Sequence, residues 1–272
     1  MCNRQQLLLL IEEAMIDSHS HPEHWGIRPV LFHIGGLDVP SYSFFVLMGL
    51  LAGLALFFFE SGRGGRRDDN GLIIIIGAIS GGILGAKVLE WVLNYRLLMA
   101  NFSDPEIWLS GRTVVGGLIG GKLGAVLIKK AFDIREKRGN DIAPAVALGI
   151  LVGRFGCFFR GCCYGKPTGL RWGVDFGDGI MRHPTQLYEA TFMLMMFMYI
   201  ENSKRKGELA PGHLFRLLMI CYFIFRFCIE FIRVEPVVLA GLTSFQLIAL
   251  AVILYFTVAN LKHKEQSYAR QS

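Results

Sequence analysis

Seven apolar runs divide this chain of 272 residues, and a water-soluble fold has no room for them all. They lie near 43–59, 71–93, 114–128, 142–159, 187–200, 213–232 and 242–261. A helix needs about 20 mainly apolar residues to cross the hydrocarbon core of a bilayer. Most of the runs approach that length; the fifth is short and ends in a Met-rich stretch. Only 18% of the residues are charged and 53% are hydrophobic, whereas soluble domains carry about 25% charged residues. Six cysteines are too sparse for a disulfide scaffold, and 21 Phe with long Ile/Leu runs exclude disorder. The expectation is an all-α membrane protein of about seven transmembrane helices. An external N-terminal segment covers 1–41, the helical domain 42–261 and a cytoplasmic tail 262–272. The first run begins too far in, and lacks the usual cleavage site, to be a removable signal peptide.

Lys and Arg in the connecting segments set the orientation. Fourteen fall on one side and nine on the other, which favours an external N-terminus and a cytoplasmic C-terminus. The connection carrying Arg160, Lys166, Arg171 and Arg182 is basic on the outer side, against the rule, and so is a candidate for chemistry. The net charge of +6 forms no continuous stripe. Nucleic acid is therefore excluded as a partner and an anionic lipid surface preferred.

Glycine recurs every fourth residue in four runs: Gly49/Gly53, Gly77/Gly81/Gly85, Gly116/Gly120/Gly124 and Gly149/Gly153. That spacing lines one helix face with hydrogen and lets backbones approach closely. Tight packing explains most of it. At Gly116 and Gly117 the bare surface could also admit a lipid headgroup.

Ionisable residues inside such runs need partners or water, because an isolated charge there costs roughly 2.5–3.5 kcal/mol. Arg226, Glu230 and Arg233 are spaced four and three apart and so share a helix face. Arg226 and Glu230 can neutralise each other, and the surplus positive charge predicts an anion such as phosphate. A planar guanidinium suits that task because it offers two donors at once. Arg154 lies in Gly153-Arg154-Phe155-Gly156 at the end of the fourth run. The following loop holds Gly161, Gly165 and Pro167, so its backbone is irregular beside the bilayer; such backbone must be buried in protein or face a watery cavity. Arg182-His183-Pro184-Thr185-Gln186-Leu187-Tyr188-Glu189 then puts six hydrogen-bonding side chains into eight residues. A site explains that density better than an interfacial cap does. Lys87 and Glu90 can pair across one turn, and Lys122 can snorkel to an interface.

Cys157, Cys162 and Cys163 sit close in sequence to His183, a set that could ligate zinc. No C-x-x-C pair is present, however, and adjacent cysteines rarely ligate one metal comfortably. The expectation is therefore no metal and no cofactor, with the cysteines as small packing residues. Cys2, Cys221 and Cys228 have no suggestive setting. His19, His21 and His24 read as loop, and 6–16 as a short amphipathic helix lying on the membrane.

Taken together, these motifs resemble the prolipoprotein diacylglyceryl transferase family, from Tyr42 to Gln246. The likeness rests on Gly153-Arg154-Phe155-Gly156 followed by Gly165, on the run from Arg182 to Glu189, and on Arg226-x-x-x-Glu230-x-x-Arg233. Gly116-Gly117-Leu118-Ile119-Gly120 and Tyr42 add to it. The resemblance implies transfer of a diacylglyceryl group from phosphatidylglycerol to the lipobox cysteine thiol of a prolipoprotein signal peptide, releasing glycerol phosphate. It implies a multi-pass protein of the bacterial plasma (inner) membrane. Arg154 and Arg226 would hold the phosphate, Glu230 would orient them, and His183 is the candidate base. Tyr42, Gly116, Gly117, Gly165, Gln186, Glu189, Arg233 and Gln246 would contact substrate. Two departures mark a divergent member. Val115 stands where the family has His, and Cys157, Arg160 and Cys162 stand where its loop carries two Asn and a Glu. The alternatives are a related lipid-modifying enzyme with another acceptor or a cysteine relay, and a non-enzymatic lipid-binding protein.

Overall fold

The computed structural model describes residues 25–63, 69–100, 102–103, 108, 111–206 and 210–268. The expected helix at 6–16 and the histidines at 19, 21 and 24 lie outside the described residues. The chain is mostly helical. Eight α-helices are present among the described residues: α1 (Ser41–Arg63), α2 (Asp69–Leu93), α3 (Tyr95–Ala100), α4 (Val114–Ala131), α5 (Gly139–Arg160), α6 (Thr185–Arg205), α7 (His213–Ile229) and α8 (Ser244–Tyr268). Three segments of these, Ser41–Gly62, Asp69–Leu93 and Gly139–Arg160, are long and apolar enough to cross a membrane; Ser244–Asn260 is a shorter apolar helix. Exposed Leu47, Leu51 and Phe59 on α1 and Ile83, Leu84 and Val92 on α2 suit contact with lipid chains.

The described residues fall into two compact units. One holds those up to Phe57 and from Gly139 onward; the other is Phe58–Arg138.

In the second unit, α2 and α4 run antiparallel along the predicted glycine faces. Gly77 meets Gly124, Gly81 meets Gly120 and Gly85 meets Gly116, a strict register of small residues. A Cβ added to Gly85 would lie 2.5 Å from Gly116 O and 2.6 Å from Gly120 Cα. No side chain fits there. Gly117, one position off the seam, has ordinary room: its nearest neighbours would be Gly82 O at 3.7 Å and Ala86 Cβ at 3.8 Å. Helix α4 starts where it does because Thr113 Oγ1 accepts from Gly116 N at 3.1 Å, and it ends with Lys129 and Lys130 in the last turn. Lys87 Nζ donates to Gly111 O at 3.2 Å, while Glu90 accepts from Asn94 Nδ2 at 2.7 Å.

In the first unit, α5 packs along α6 and α7, and α7 along α8. Its second glycine contact joins α1 to α5, where a Cβ on Gly49 would meet Gly149 O at 2.5 Å. Tyr222, Phe223, Leu214, Leu218, Met219 and Met193 are buried between the helices. Helix α7 stops at Ile229, earlier than the apolar pattern suggests, and tightens into a 3₁₀ turn at Glu230–Ile232.

Short antiparallel pairs that the apolar pattern does not announce decorate this unit. They are β1 (Val30–Ile34) with β2 (Leu37–Pro40), β3 (Val174–Asp175) with β4 (Met181–Arg182), and β5 (Val237–Leu239) with β6 (Leu242–Thr243). Gly35 and Gly36, both at positive φ, make the first turn. The loop between α5 and α6 is fixed by an aromatic cluster. Trp25, Tyr164 and Phe176 bury together, Trp25 Nε1 donates to Gly161 O at 2.7 Å, and Arg182 lies 5.0 Å over the Tyr164 ring.

Candidate functional site

The site grows out of three helix ends in the first unit. Arg154 comes from the last two turns of α5, Glu189 from the first turn and a half of α6, and Tyr222 and Arg226 from α7. Arg154 Nη2 donates to Glu189 Oε1 at 2.6 Å, and Tyr222 Oη donates to the same oxygen at 3.1 Å. All three side chains are buried. One turn on, Arg226 Nη2 lies 3.0 Å from Glu230 Oε2, and Arg233 Nε lies 3.7 Å from the same carboxylate. Thr243 Oγ1 donates to the other Glu230 oxygen at 3.2 Å. The Arg226 guanidinium also stacks 4.7 Å over the Phe245 ring. Tyr222 and Arg226 lie four residues apart on α7, so this one helix carries both the hydroxyl that holds the Glu189–Arg154 pair and the guanidinium that pairs with Glu230.

The charge balance is informative. Arg154, Arg226 and Arg233 bring three positive charges against two buried carboxylates, Glu189 and Glu230. Glu235 adds a third at 2.9 Å from Arg233 Nη2, but it sits farther out, with its side chain 17% exposed. Three guanidiniums thus meet three carboxylates, and what the group leaves open is donors, not charge. Arg154 Nε and Arg226 Nε are buried with no hydrogen-bond partner among the described residues. Buried charged donors are costly to leave unanswered, and the two N–H groups call for an anionic acceptor.

The loop and the Arg182–Glu189 run wrap this core. Arg233 Nη1 donates to Cys163 O at 2.8 Å, Gln186 Nε2 donates to Cys162 O at 2.6 Å, and the Thr185 hydroxyl donates to Cys163 O. Gly165 bridges to Arg233; a Cβ there would meet Ile232 O at 2.6 Å and His183 Cβ at 2.8 Å, so only glycine lets the loop close on the helix end. The backbone of Tyr42 packs on Gly156, where an added Cβ would meet Tyr42 O at 3.1 Å. His183 is half-buried, with Nδ1 3.2 Å from Tyr188 Oη. Tyr188 Oη in turn accepts from Trp172 Nε1 at 2.9 Å. In the simplest proton assignment the tyrosine gives its proton to Nδ1, which leaves the ring proton on Nε2.

Of the expected site residues, Arg154, Glu189, Gln186, Arg226, Glu230, Arg233 and Gly165 lie in this one network or against it. Gln246 forms a capping box at the start of α8: Thr243 N donates to Gln246 Oε1 at 2.9 Å and Gln246 N to Thr243 Oγ1 at 3.3 Å. Its Nε2 reaches Phe227 O. Gly116 and Gly117 belong to the second unit, where Gly116 packs on Gly85. Tyr222, Thr243 and Phe245 escaped the sequence reading. Tyr222 carried a usable signal, since it lies four residues before Arg226 on the same face as Glu230.

A sequence profile of the prolipoprotein diacylglyceryl transferases matches residues 29–261. The chain belongs to that family. Relatives named phosphatidylglycerol–prolipoprotein diacylglyceryl transferase include one from Clostridium tetani, 35% identical over 77% of this chain and 87% of its own length. One from Geobacter sulfurreducens is 34% identical over 80% of this chain and 86% of its own. One from Finegoldia magna is 28% identical over 87% and 96%.

Proposed function

We propose that this chain transfers a diacylglyceryl group from phosphatidylglycerol to the lipobox cysteine thiol of a prolipoprotein, releasing glycerol phosphate. The observation that carries the reading is the pair of buried guanidiniums, Arg154 on α5 and Arg226 on α7, each with an Nε–H that no described acceptor meets. The acceptor thiol gives its proton to solvent, its sulfur attacks the glyceryl carbon and forms the S–C bond, and the carbon–oxygen bond to phosphate breaks with its electron pair going to the phosphate oxygen. Charge therefore grows on that phosphate in the transition state. Two donors already in place and shielded from water are worth most there. Glu189 holds the Arg154 fork at one end and Tyr222 fixes Glu189, while Glu230 and Thr243 do the same for Arg226.

In this reading the protein spans the bacterial plasma (inner) membrane seven times within 42–261, with the N-terminal segment outside and the tail at 262–272 in the cytoplasm. The excess of Lys and Arg on one side of the apolar runs supports the orientation. Phosphatidylglycerol and a signal peptide bearing the lipobox cysteine are its partners.

Folded protein in detergent, mixed with phosphatidylglycerol and a lipobox peptide, should release glycerol phosphate and yield lipid-modified peptide. Neither product from a preparation with native elution and thermal unfolding would overturn the assignment.

A further inference from the structure

A cluster of thiols lies against the arginine site and has no part in the reaction as written above. Cys157, in the last turn of α5, and Cys162 and Cys163, just beyond it, hold their three sulfurs all within 4.8 Å of one another. Cys157 and Cys162 are buried and Cys163 is half-buried. The sequence argues against shared ligation by adjacent cysteines, yet the backbone here makes it possible. Cys162 N donates to Cys157 O at 3.1 Å, curling the chain over the helix end. Cys163 then adopts a left-handed φ of +64°, a conformation that residues with a Cβ rarely take. The strained turn is held by the Arg233 and Thr185 donors on Cys163 O and the Gln186 donor on Cys162 O. Small residues packing in a core need no such bracing.

We propose that Cys157, Cys162 and Cys163 form a three-thiolate site for a thiophilic divalent cation of the zinc class, with its fourth position open to the acceptor thiol. Zinc–sulfur bonds of ~2.3 Å place tetrahedral sulfurs ~3.8 Å apart, so the cluster closes with shifts of at most about 1 Å. Zinc sites that do chemistry keep three protein ligands and leave the fourth for substrate. Three thiolates and a dication carry one net negative charge, and Arg154 Nη1 donates toward Cys157 Sγ at 3.8 Å to face it. Among the described residues, Glu189 and Glu230 are each committed to guanidiniums and His183 Nδ1 is engaged with Tyr188 Oη, so a cation would give the acceptor thiol its own route to a thiolate.

The role of the ion rests on the transferase reading. The acceptor S–H would bind the cation and lose its proton to solvent. The sulfur would then attack the glyceryl carbon while the phosphate leaves onto Arg154 and Arg226. No oxidant or reductant enters.

The test uses full-length protein in detergent under reducing conditions, titrated with Co²⁺ and, separately, assayed for zinc. Wild type should take up about one equivalent and show strong near-ultraviolet thiolate-to-cobalt bands. A lipobox peptide with Cys should change those bands, and the same peptide with Ser should not. C157S, C162S and C163S should each lose stoichiometric binding, C162H should keep a weakened site, and C228S, exposed elsewhere on α7, should keep it whole. Stripping the ion should lower turnover by about 10²-fold or more, the scale of a lost general base, and Zn²⁺ should restore it. Absence of bands in folded wild type, or bands that survive removal of all three cysteines, would overturn the site. Full turnover by metal-free protein would overturn it too and leave the transferase standing. A metal held by the three thiols in a protein that transfers no lipid would instead sink the transferase reading and the ion's role in it, leaving the site itself.

Discussion

The α2–α4 seam and the arginine site face one problem, helices that lipid gives no hydrophobic reason to pair, and they solve it by opposite means. The seam removes side chains. With glycine at every fourth position, backbones come close enough for dispersion alone to hold them. The site adds side chains that hydrocarbon rejects, then satisfies them with one another: Arg154 with Glu189 and Tyr222, Arg226 with Glu230 and Phe245. The first solution tolerates no change of shape, the second no change of charge. A glycine seam is finished when packed. Among the described residues, the paired charges leave two buried Nε–H donors unanswered at their centre, those of Arg154 and Arg226, which is where chemistry can enter.

The sharpest test of that distinction is Arg154. Arg154→Ala should reduce transfer by about 10²–10³-fold, the range for losing one donor to a developing oxyanion. Arg154→Lys keeps the charge but loses the planar fork that reaches Glu189 and a phosphate together, so it should recover little. Initial rates of glycerol phosphate release decide the matter. Wild-type rates from Arg154→Lys would show that charge without geometry suffices, and the contrast drawn above would fail.

On the seam the corresponding break is steric. Gly120→Leu drives a branched side chain into the backbone of α2 and should destabilise the second unit by about 3 kcal/mol, the upper end for overpacking. Gly117→Ala, with neighbours no nearer than 3.7 Å, should stay within about 0.5 kcal/mol of wild type. Thermal unfolding in detergent measures both. Equal losses would mean that the register from Gly77–Gly124 to Gly85–Gly116 does not set the packing.

The two regions also differ in how far sequence betrays them. Spacing of four at Gly77, Gly81 and Gly85 and again at Gly116, Gly120 and Gly124 names both faces of the seam, because a helix repeats every 3.6 residues and close contact admits only hydrogen. The Arg226–Glu230 pair is legible for the same reason, being one turn apart. Arg154 and Glu189 are 35 residues apart on different helices, and no periodicity links them. Tyr222 shows in the sequence only its place one turn before Arg226; its partner Glu189 lies 33 residues away on another helix. The hairpins at Val30–Pro40 and Val237–Thr243 are hidden among apolar residues that suit strand, helix or bilayer alike. The thiol cluster was hardest to foresee, since it needs a left-handed backbone at a residue that is not glycine.

Tyr222→Phe probes the site's support without touching its charge. It removes one donor from Glu189 Oε1 and should lower stability by about 2 kcal/mol, as for a hydrogen bond to an ionised group. Turnover should fall by less than it does in Arg154→Ala. If Tyr222→Phe were as damaging as Arg154→Ala, the hydroxyl itself would have to act on substrate.

The smallest effect lies in the loop that closes over the site. Asp178 Oδ1 accepts from Arg182 Nη1 at 2.5 Å and from Ile180 N at 3.1 Å, and the Arg182 contact first of all holds its carboxyl below the usual range. A carboxylate whose pKa is lower folded than unfolded stabilises the fold above the unfolded value of about 3.9, and that contribution fades as pH falls through the folded value. Solvent reaches this pair, so the contribution is at most about 1 kcal/mol. Asp178→Asn should therefore exchange its backbone hydrogens faster than wild type near 166–183 at neutral pH. The gap should close as the medium is acidified below about pH 4. Exchange rates followed by mass spectrometry at several pH values measure it. A gap that persists in acid would mean that the charge of Asp178 is not what holds the loop, since Asn keeps the Oδ1 acceptor for Ile180 N, and would place this corner with the glycine seam rather than with the arginines.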